Sequence, residues 1–326
     1  MKTIAVFDKR GRRAPGVWPF YNWLRYEFNI IYIDDLDRPA QQGILGARAF
    51  IPGGVDYVLW GFMPGTALER SKDFLNDMKI PIIVSVGDVW QFVERPNVTQ
   101  QFWGLEHIKY VLYKQRATST HDPHLERLRD MMGHGFKAVG ATKDRYGTGS
   151  ETFLQNAEVL MSPWGIDDQK HPRPLKKEKV IDVSHICTVS HGKPHDIRRN
   201  QRAKIENLGE IVGTFTKNVY GKQYHDTLHR TKILVVDASG SGLTTQKYLE
   251  GAIHGCLLIG EVPYLDPEVF NSNTMVEAEP DELEEKIKYY LDNEKERREI
   301  ANRLRELVIK HYNLDKAIDP LVEVLK

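Results

Sequence analysis

Short runs of Val, Ile and Leu alternate along this chain with longer amphipathic segments, and this alternation restricts its fold more than any other feature. In the first half the apolar runs are TIAVFD (3–8), IIYID (30–34), DYVLW (56–60), PIIVSV (81–86), KYVLY (109–113), KAVG (137–140) and AEVLM (157–161). Strands that are covered by helices on both faces are apolar along their whole length. The pattern therefore predicts parallel sheets with helices on both faces, an α/β fold.

The alternation is interrupted at SPWGIDDQKHPRPLKKEK (162–179), where prolines precede a run of charges, as is typical of a linker. It restarts with KVIDVSHICTV, GEIVGTF, KILVVDAS, CLLIG and TMVEA, and ends in a long charged segment with helical periodicity. A chain of 326 residues is also longer than one core usually supports. We therefore predict two parallel-sheet domains, residues 1–165 and 166–312, followed by residues 313–326.

The composition excludes several classes of protein. The formal net charge is zero, which argues against binding to nucleic acid through bulk electrostatics. The two cysteines, Cys187 and Cys256, lie in apolar runs without the spacing of a disulfide framework or of metal ligands, so we predict no metal site and a reducing compartment. No apolar run approaches the ~20 residues of a membrane span. The sequence thus predicts a cytoplasmic protein without a membrane span, and leaves its oligomeric state open.

The stretch GLTTQKYLEGAIHGCLLIG (242–260) predicts a loop, a short helix, a glycine stop and a buried strand. It follows the strand KILVVD, which ends at Asp237, and the flexible ASGSG. Thr244 or Thr245 is the expected N-cap. In open α/β sheets ligands bind beyond the carboxyl ends of the strands, where helix N-termini favour anions. The stretch therefore predicts a phosphate-binding loop.

Helical spacing places Lys247, Glu250 and His254 on one stripe of this helix, while Leu249 and Ile253 face the sheet. A lysine one turn into the helix can neutralise a diphosphate, and a carboxylate three residues on can accept hydrogen bonds from a ribose diol. The alternative is a surface ion pair between Lys247 and Glu250, which would contribute only a few tenths of a kcal/mol.

The segment from Lys232 to about Leu321 resembles the C-terminal domain of group-1 glycosyltransferases, in the branch that includes the CgeB-like spore-maturation proteins. That branch has an apolar strand, a Gly-x-Thr-x-Arg-x-x-Glu-Ala helix, a glycine and a second apolar strand, then a Pro-containing loop and an acidic helix start. The corresponding stretches here are GLTTQKYLEGAIHGCLLIG, EVPYLDPEVF, EPDELEEKIKYYLDNEKERREIA and KHYNLDKA, in the same order.

The resemblance implies a GT-B fold, in which two Rossmann-like domains present parallel sheets to a central cleft. Domain 1–165 would bind the acceptor, domain 166–312 would bind the nucleotide-sugar, and helix 313–326 would cross back to the first domain. The implied donor-binding residues are Ser190, Lys193, Arg198, Gly242, Thr244, Thr245, Lys247 and Glu250. Lys247 replaces the usual Arg, and Gly242 stands where the wider retaining superfamily has a second Glu.

Further candidates lie in the first domain. Arg10, Gly11, Arg12 and Arg13 follow the first strand and form a phosphate or acceptor loop, or else a solvated turn. Asp88 follows a strand end and is a candidate catalytic carboxylate, although such residues often cap the next helix. His121 is the competing base, although a lone His is more often structural.

The predicted function is a metal-independent, hexosyltransferase-like glycosyltransferase. It would need no cofactor, and its co-substrate would be a UDP- or GDP-linked sugar. A glycan, a protein, a lipid or a modified nucleic acid all remain open as acceptors. A nucleotide-sugar epimerase on the same scaffold and a non-catalytic sugar-binding or coat-assembly protein are the alternatives, because a fold does not fix a function.

Overall fold

The structure is a computed structural model that describes residues 1–7, 24–33, 53–60, 75–86, 105–116, 157–166, 178–187, 196–208, 219, 221–238 and 242–326. These residues form two compact units. The first unit contains the described residues of Met1–Lys114, Asp122–Pro163 and Asp315–Lys326. The second contains residues 115–116 and the described residues of Trp164–Leu314.

The first unit has a parallel sheet of six described strands. They are β1 (Thr3–Phe7), β2 (Asn29–Ile33), β3 (Tyr57–Trp60), β4 (Ile82–Val86), β5 (Ile108–Tyr113) and β6 (Glu158–Met161), in the order β2-β1-β3-β4-β5-β6. Every neighbouring pair is parallel. All six coincide with predicted apolar runs, which confirms the predicted parallel sheet. The predicted strand at 137–140 lies outside the described residues.

The second unit has a parallel sheet of four described strands, β7 (Ile181–Ser184), β8 (Thr231–Val236), β9 (Leu257–Gly260) and β10 (Val276–Glu277), in the order β10-β9-β8-β7. Its described helices are α1 (Asp196–Asn207), α2 (Gly221–Arg230), α3 (Gln246–Ile253), α4 (Leu283–Asp292) and α5 (Glu294–His311). A 3₁₀ turn, Pro280–Glu282, precedes α4. The predicted strand GEIVGTF lies outside the described residues.

Both faces of this second sheet are buried, as the apolar runs predict. Leu234 and Val236 of β8 pack in one core with residues of α3 and α5. Ile233 and Val235 point the other way, into a second core with residues of α1 and α4. Because successive side chains of a strand alternate between faces, a strand covered on both sides must be apolar throughout. Parallel pairing also brings the carboxyl ends of β7 and β8 to the same edge.

The C-terminal segment forms three helices, since α4 ends at Asp292, α5 begins at Glu294, and the last helix, α6, spans Leu314–Leu325. Helix α6 lies in the first unit from Asp315 onward. There the Ser162 hydroxyl donates a 2.6 Å hydrogen bond to the carbonyl of Ala317. None of the described helices is long and apolar enough to cross a membrane.

Candidate functional site

The site is built around Asp237, which follows β8 directly and is buried. The Arg198 side chain of α1 donates a 2.8 Å hydrogen bond from Nε to Oδ1 of Asp237. Lys247 Nζ of α3 lies 3.6 Å from Oδ2 of the same carboxylate. Two cations from two helices thus share one buried carboxylate. The group carries a surplus positive charge at the carboxyl edge of the sheet, which suits an anionic ligand.

Lys247 is held in a setting that favours a further anion. Burial lowers the pKa of its ammonium, and the nearby Arg198 lowers it too, while Asp237 acts in the opposite direction. The Lys247 side chain as a whole retains 18% exposure. An anion bound here would offset the cost of burying this charge.

The N-terminus of α3 lies beside these cations. Thr245 is the N-cap residue, with extended backbone angles (φ −89°, ψ 161°), but its side chain makes no capping hydrogen bond. Its Oγ1 is buried without a hydrogen-bond partner among the described residues. The first N–H groups of a helix have no partner within the helix. Without a capping side chain, those of α3 are available to an anionic ligand.

The loop before α3 is fixed by a residue far away in the chain. The side chain of Gln115, which is buried, pairs with the backbone of Thr244 through both of its amide atoms. Oε1 of Gln115 accepts from Thr244 N at 3.1 Å, and Nε2 donates to Thr244 O at 3.2 Å. Gly242 opens the loop with φ 67°, a left-handed conformation that favours glycine. The loop at 242–245 is therefore held in one shape.

Glu250 lies one helical turn beyond Lys247. The hydroxyl of Tyr224, on α2, donates a 2.6 Å hydrogen bond to its Oε2. Burial raises the pKa of the Glu250 carboxyl to about 7, against the opposing effects of the Tyr224 hydrogen bond and of Lys247. The alternative of a surface ion pair between Lys247 and Glu250 is wrong, because Lys247 pairs with Asp237 and Glu250 with Tyr224.

A second group of polar side chains follows β7. Arg202 of α1 donates a 3.0 Å hydrogen bond from Nη2 to the carbonyl of Cys187. The ring of His185 lies 3.2 Å from Cys187 Sγ, measured from Nε2. Burial lowers the pKa of His185 to about 3, and the charges of Lys247 and Arg202 contribute to the shift. The imidazole is therefore neutral beside the cations of the site.

His254, which helical spacing places on the stripe of Lys247 and Glu250, lies directly after the last residue of α3. Helix α3 ends at Ile253, and His254 is buried as its C-cap. The ring lies 5.4 Å from that of His225 and 4.3 Å from that of His229, measured between centroids. His225 and His229 are spaced one helical turn apart on α2. The described residues include no group of three His, Cys, Asp or Glu side chains arranged to hold a metal ion.

The structure describes six of the predicted site residues and brings them to the carboxyl edge of the second sheet. They are Arg198, Gly242, Thr244, Thr245, Lys247 and Glu250. The other predictions lie outside the described residues, namely Ser190, Lys193, Asp88, His121, Arg10, Gly11, Arg12 and Arg13. Sequence reasoning did not identify the roles of Asp237 and Tyr224. The position of Asp237 at the end of a predicted strand could have identified it as a site residue. Nothing in the local sequence indicates that Tyr224 pairs with Glu250.

Comparison with known proteins concerns the second half of the chain and the fold. Residues 194–323 match the family model described as glycosyl transferase-like. A search of the curated proteins finds no match. Crystal structures of Anabaena HepE are similar across 100% of this chain and 99% of that chain, in complex with UDP-glucose (11% identity, TM-score 0.63) and with UDP and glucose (9%, 0.61).

Sucrose-phosphate synthase from Thermosynechococcus elongatus is similar over 99% of this chain and 98% of that chain, with 10% identity and a TM-score of 0.62. These likenesses, at low identity, concern the fold. They confirm the predicted α/β fold of GT-B type. The match to the glycosyl transferase-like family model covers residues 194–323, which include the site around Asp237.

Proposed function

We propose that this protein is a hexosyltransferase-like glycosyltransferase, which moves a sugar from a nucleotide-sugar to an acceptor hydroxyl. The observation that carries the proposal is the convergence of Arg198 and Lys247 on buried Asp237, beside the uncapped N-terminus of α3. The match of residues 194–323 to a glycosyl transferase-like family supports it. The motifs of the C-terminal half further suggest the CgeB-like branch, and the unpaired cysteines suggest a cytoplasmic setting.

The donor would lie along α3. Its diphosphate would contact Arg198, Lys247 and the first N–H groups of the helix, with Ser190 and Lys193 as further candidates. Three residues correspond to about 4.5 Å along a helix axis, so Glu250 would reach the ribose next to the diphosphate. The crystal structures of HepE contain UDP or UDP-glucose, which favours a UDP-linked donor over a GDP-linked one.

In the proposed reaction the acceptor oxygen forms a bond to the anomeric carbon of the sugar. The bond from that carbon to the diphosphate oxygen breaks, and the nucleoside diphosphate leaves with the electron pair. The cations and the helix N-terminus stabilise the charge that develops on the leaving group, the role that a metal ion has in other enzymes. The hydroxyl proton passes to Asp88 or His121 if the configuration inverts, and to the departing diphosphate if it is retained.

Nucleotide binding tests the donor site directly. UDP-glucose, UDP-N-acetylglucosamine and GDP-mannose are titrated while thermal unfolding is followed. A ligand at 100 times its dissociation constant stabilises the folded protein by about 2.7 kcal/mol. We expect this shift with a UDP-sugar. If none of these ligands shifts the unfolding midpoint of the wild type, the donor site is wrong.

A matched pair of variants separates binding from folding. Arg198→Ala leaves the buried Asp237 with one cation fewer, so it also costs stability, about 2–4 kcal/mol. The matched variant Asp237→Asn breaks the same ion pair and also costs stability, but it keeps both cations, so it should retain UDP binding. Undiminished UDP binding by Arg198→Ala contradicts the assigned role of Arg198.

Product analysis separates transfer from the alternatives. A transferase incubated with the bound UDP-sugar and an acceptor releases UDP in equal amount to the glycosylated acceptor. An epimerase converts the sugar without an acceptor and without releasing UDP. A protein that only binds sugar-nucleotides does neither.

A further inference from the structure

Tyr264 lies beside the loop that opens α3, in the segment that follows β9. Its ring rests against Gly242: a Cβ atom placed on Gly242 would lie 1.8 Å from Cε1 and 2.0 Å from Cδ1 of the tyrosine. The backbone N–H of Tyr264 also donates to the carbonyl of Gly242 at 3.2 Å. The aromatic ring therefore occupies the space that any side chain at position 242 would need.

This tyrosine is exposed although its neighbours are buried. Tyr264 is 41% exposed, whereas Leu265 and Asp266 are fully buried. Asp266 accepts a hydrogen bond of 2.8 Å from the hydroxyl of Tyr312 and forms an ion pair with Arg116. The backbone on the C-terminal side of Tyr264 is thus anchored at the next two residues. An exposed ring on a fixed backbone presents a rigid apolar surface to a ligand, at little cost in conformational entropy.

The order of groups along the site places this ring at one end of the proposed donor. Glu250, Lys247 and Thr245 follow one another toward the N-terminus of α3, and Gly242 with Tyr264 comes next. If Glu250 holds the ribose and Lys247 the diphosphate, the sugar beyond the diphosphate extends toward Gly242. The exposed ring of Tyr264 lies at that end of the site.

We propose that Tyr264 is a specificity-determining residue that forms a wall of the sugar subsite. Its ring packs against the apolar C–H face of a hexopyranose. This inference rests on the proposed donor site. It also gives Gly242 a second role besides its left-handed turn, because only a residue without a side chain leaves room for the ring.

The test compares UDP with UDP-hexoses in the same variants. Dissociation constants for UDP, UDP-glucose, UDP-galactose and UDP-N-acetylglucosamine are measured calorimetrically for wild type, Tyr264→Ala and Tyr264→Phe. We expect Tyr264→Ala to leave the affinity for UDP within twofold and to weaken the preferred UDP-hexose roughly three- to tenfold. Tyr264→Phe keeps the ring and should retain most of that affinity. Tyr289→Ala, which removes another exposed tyrosine, is the control and should change neither constant.

The outcomes separate this proposal from the donor site itself. If Tyr264→Ala weakens the binding of UDP and of the UDP-hexose by the same factor, the ring only supports the loop. The proposal is then wrong, although the donor site stands. Unchanged affinity for the UDP-hexose overturns it as well. If the wild type binds no UDP compound, the donor site fails and Tyr264 loses its role with it.

Discussion

The Glu250 carboxyl is in a setting that opposes its own ionisation. It is partly buried, and its pKa rises to about 7 even though Tyr224 and Lys247 both favour the charged form. A ribose diol donates hydrogen bonds, so it prefers the carboxylate. The same charge that would bind the donor therefore costs the free protein stability, as is common at functional sites.

Glu250→Gln should separate these two effects. The folded pKa lies above the ordinary value of 4.5, so the folded protein holds the proton longer than the unfolded chain. Wild-type stability then falls as the pH rises from 4.5 to about 7, and the loss is complete above that range. An amide does not ionise, so the Glu250→Gln variant does not lose stability in this way. We expect Glu250→Gln to match the wild type near pH 4.5 and to exceed it by about 1–3 kcal/mol at pH 8.

Chemical unfolding at a series of pH values measures this difference. UDP binding by the same variant should weaken at pH 8, because an amide replaces the carboxylate acceptor. A constant stability difference across the pH range contradicts the raised pKa. Tyr224→Phe is the control for the hydrogen bond. Removing this bond should raise the pKa of Glu250 further, so the pH range over which stability falls should move upward.

At the residue scale, sequence reasoning finds positions but not partners. Helical spacing and the resemblance identify Arg198, Lys247 and Glu250, and the structure places all three at one edge of the sheet. The partners Asp237 and Tyr224 belong to other elements. Their contacts depend on how α1, α2 and α3 pack on the sheet, and a local pattern carries no information about such packing.

Gly251 lets helix α3 pack closely on the sheet, in addition to the contacts that its apolar face makes. A Cβ atom at Gly251 would lie 2.6 Å from Cδ2 of Leu234 and 2.7 Å from Cδ2 of Leu258. The helix therefore lies unusually close to β8 and β9 at this point. Glycine costs helix stability, and the close approach explains why one is present here. The same approach sets the height of Lys247 and Glu250 above the sheet edge.

Gly251→Ala should destabilise the protein despite the better helix propensity of alanine. The added methyl group must displace two leucine side chains in a packed core, and overpacking of this kind costs about 1–3 kcal/mol. Asn302→Ala, at an exposed position of α5, tests propensity alone and should be neutral or slightly stabilising. Thermal unfolding of both variants measures the contrast. A gain in stability for Gly251→Ala contradicts the close packing.

The strands that are apolar along their whole length could be predicted from the sequence. The residues at which these strands end were predicted less accurately. The run KVIDVSHICTV predicts one long strand, whereas β7 covers Ile181–Ser184. His185, Ile186 and Cys187 are buried too, without belonging to the strand. Hydrophobicity reports burial, and it does not distinguish a paired strand from a buried segment that has left the sheet. The polar cluster of His185, Cys187 and Arg202 arises from that difference.

At the scale of the whole molecule, a buried lysine stands out in the first unit. Lys114 follows β5 and is 4% exposed, and its Nζ donates a 3.0 Å hydrogen bond to the Ser162 hydroxyl. Burial lowers its pKa to about 7. The Ser162 hydroxyl in turn holds the Ala317 carbonyl of α6. A cationic group thus lies within the contacts that join the last helix to the first sheet.

Lys114→Met should stabilise the protein at neutral pH. The folded pKa lies below the ordinary value of 10.5, so wild-type stability rises as the pH increases from about 7 to 10.5. Methionine avoids the cost of a buried charge, so the variant should be about 2–4 kcal/mol more stable at pH 7, with the gain shrinking toward pH 10. Lys109→Met, at an exposed position of β5, is the control and should show no such gain. Urea unfolding from pH 6 to 10 measures both, and a gain that is independent of pH overturns the explanation.

The path of the chain between the two units limits how the gene can be divided. Arg116 belongs to the second unit, where it pairs with the buried Asp266 and with Glu268, and Gln115 holds the backbone of Thr244. A fragment that begins at Trp164 would lose both residues, and it would carry α6 without the rest of the unit to which that helix belongs. Domain exchange between relatives of this chain, in the laboratory or in evolution, must therefore transfer two separate stretches for the second unit and three for the first. A recombination point in the linker alone produces two incomplete halves.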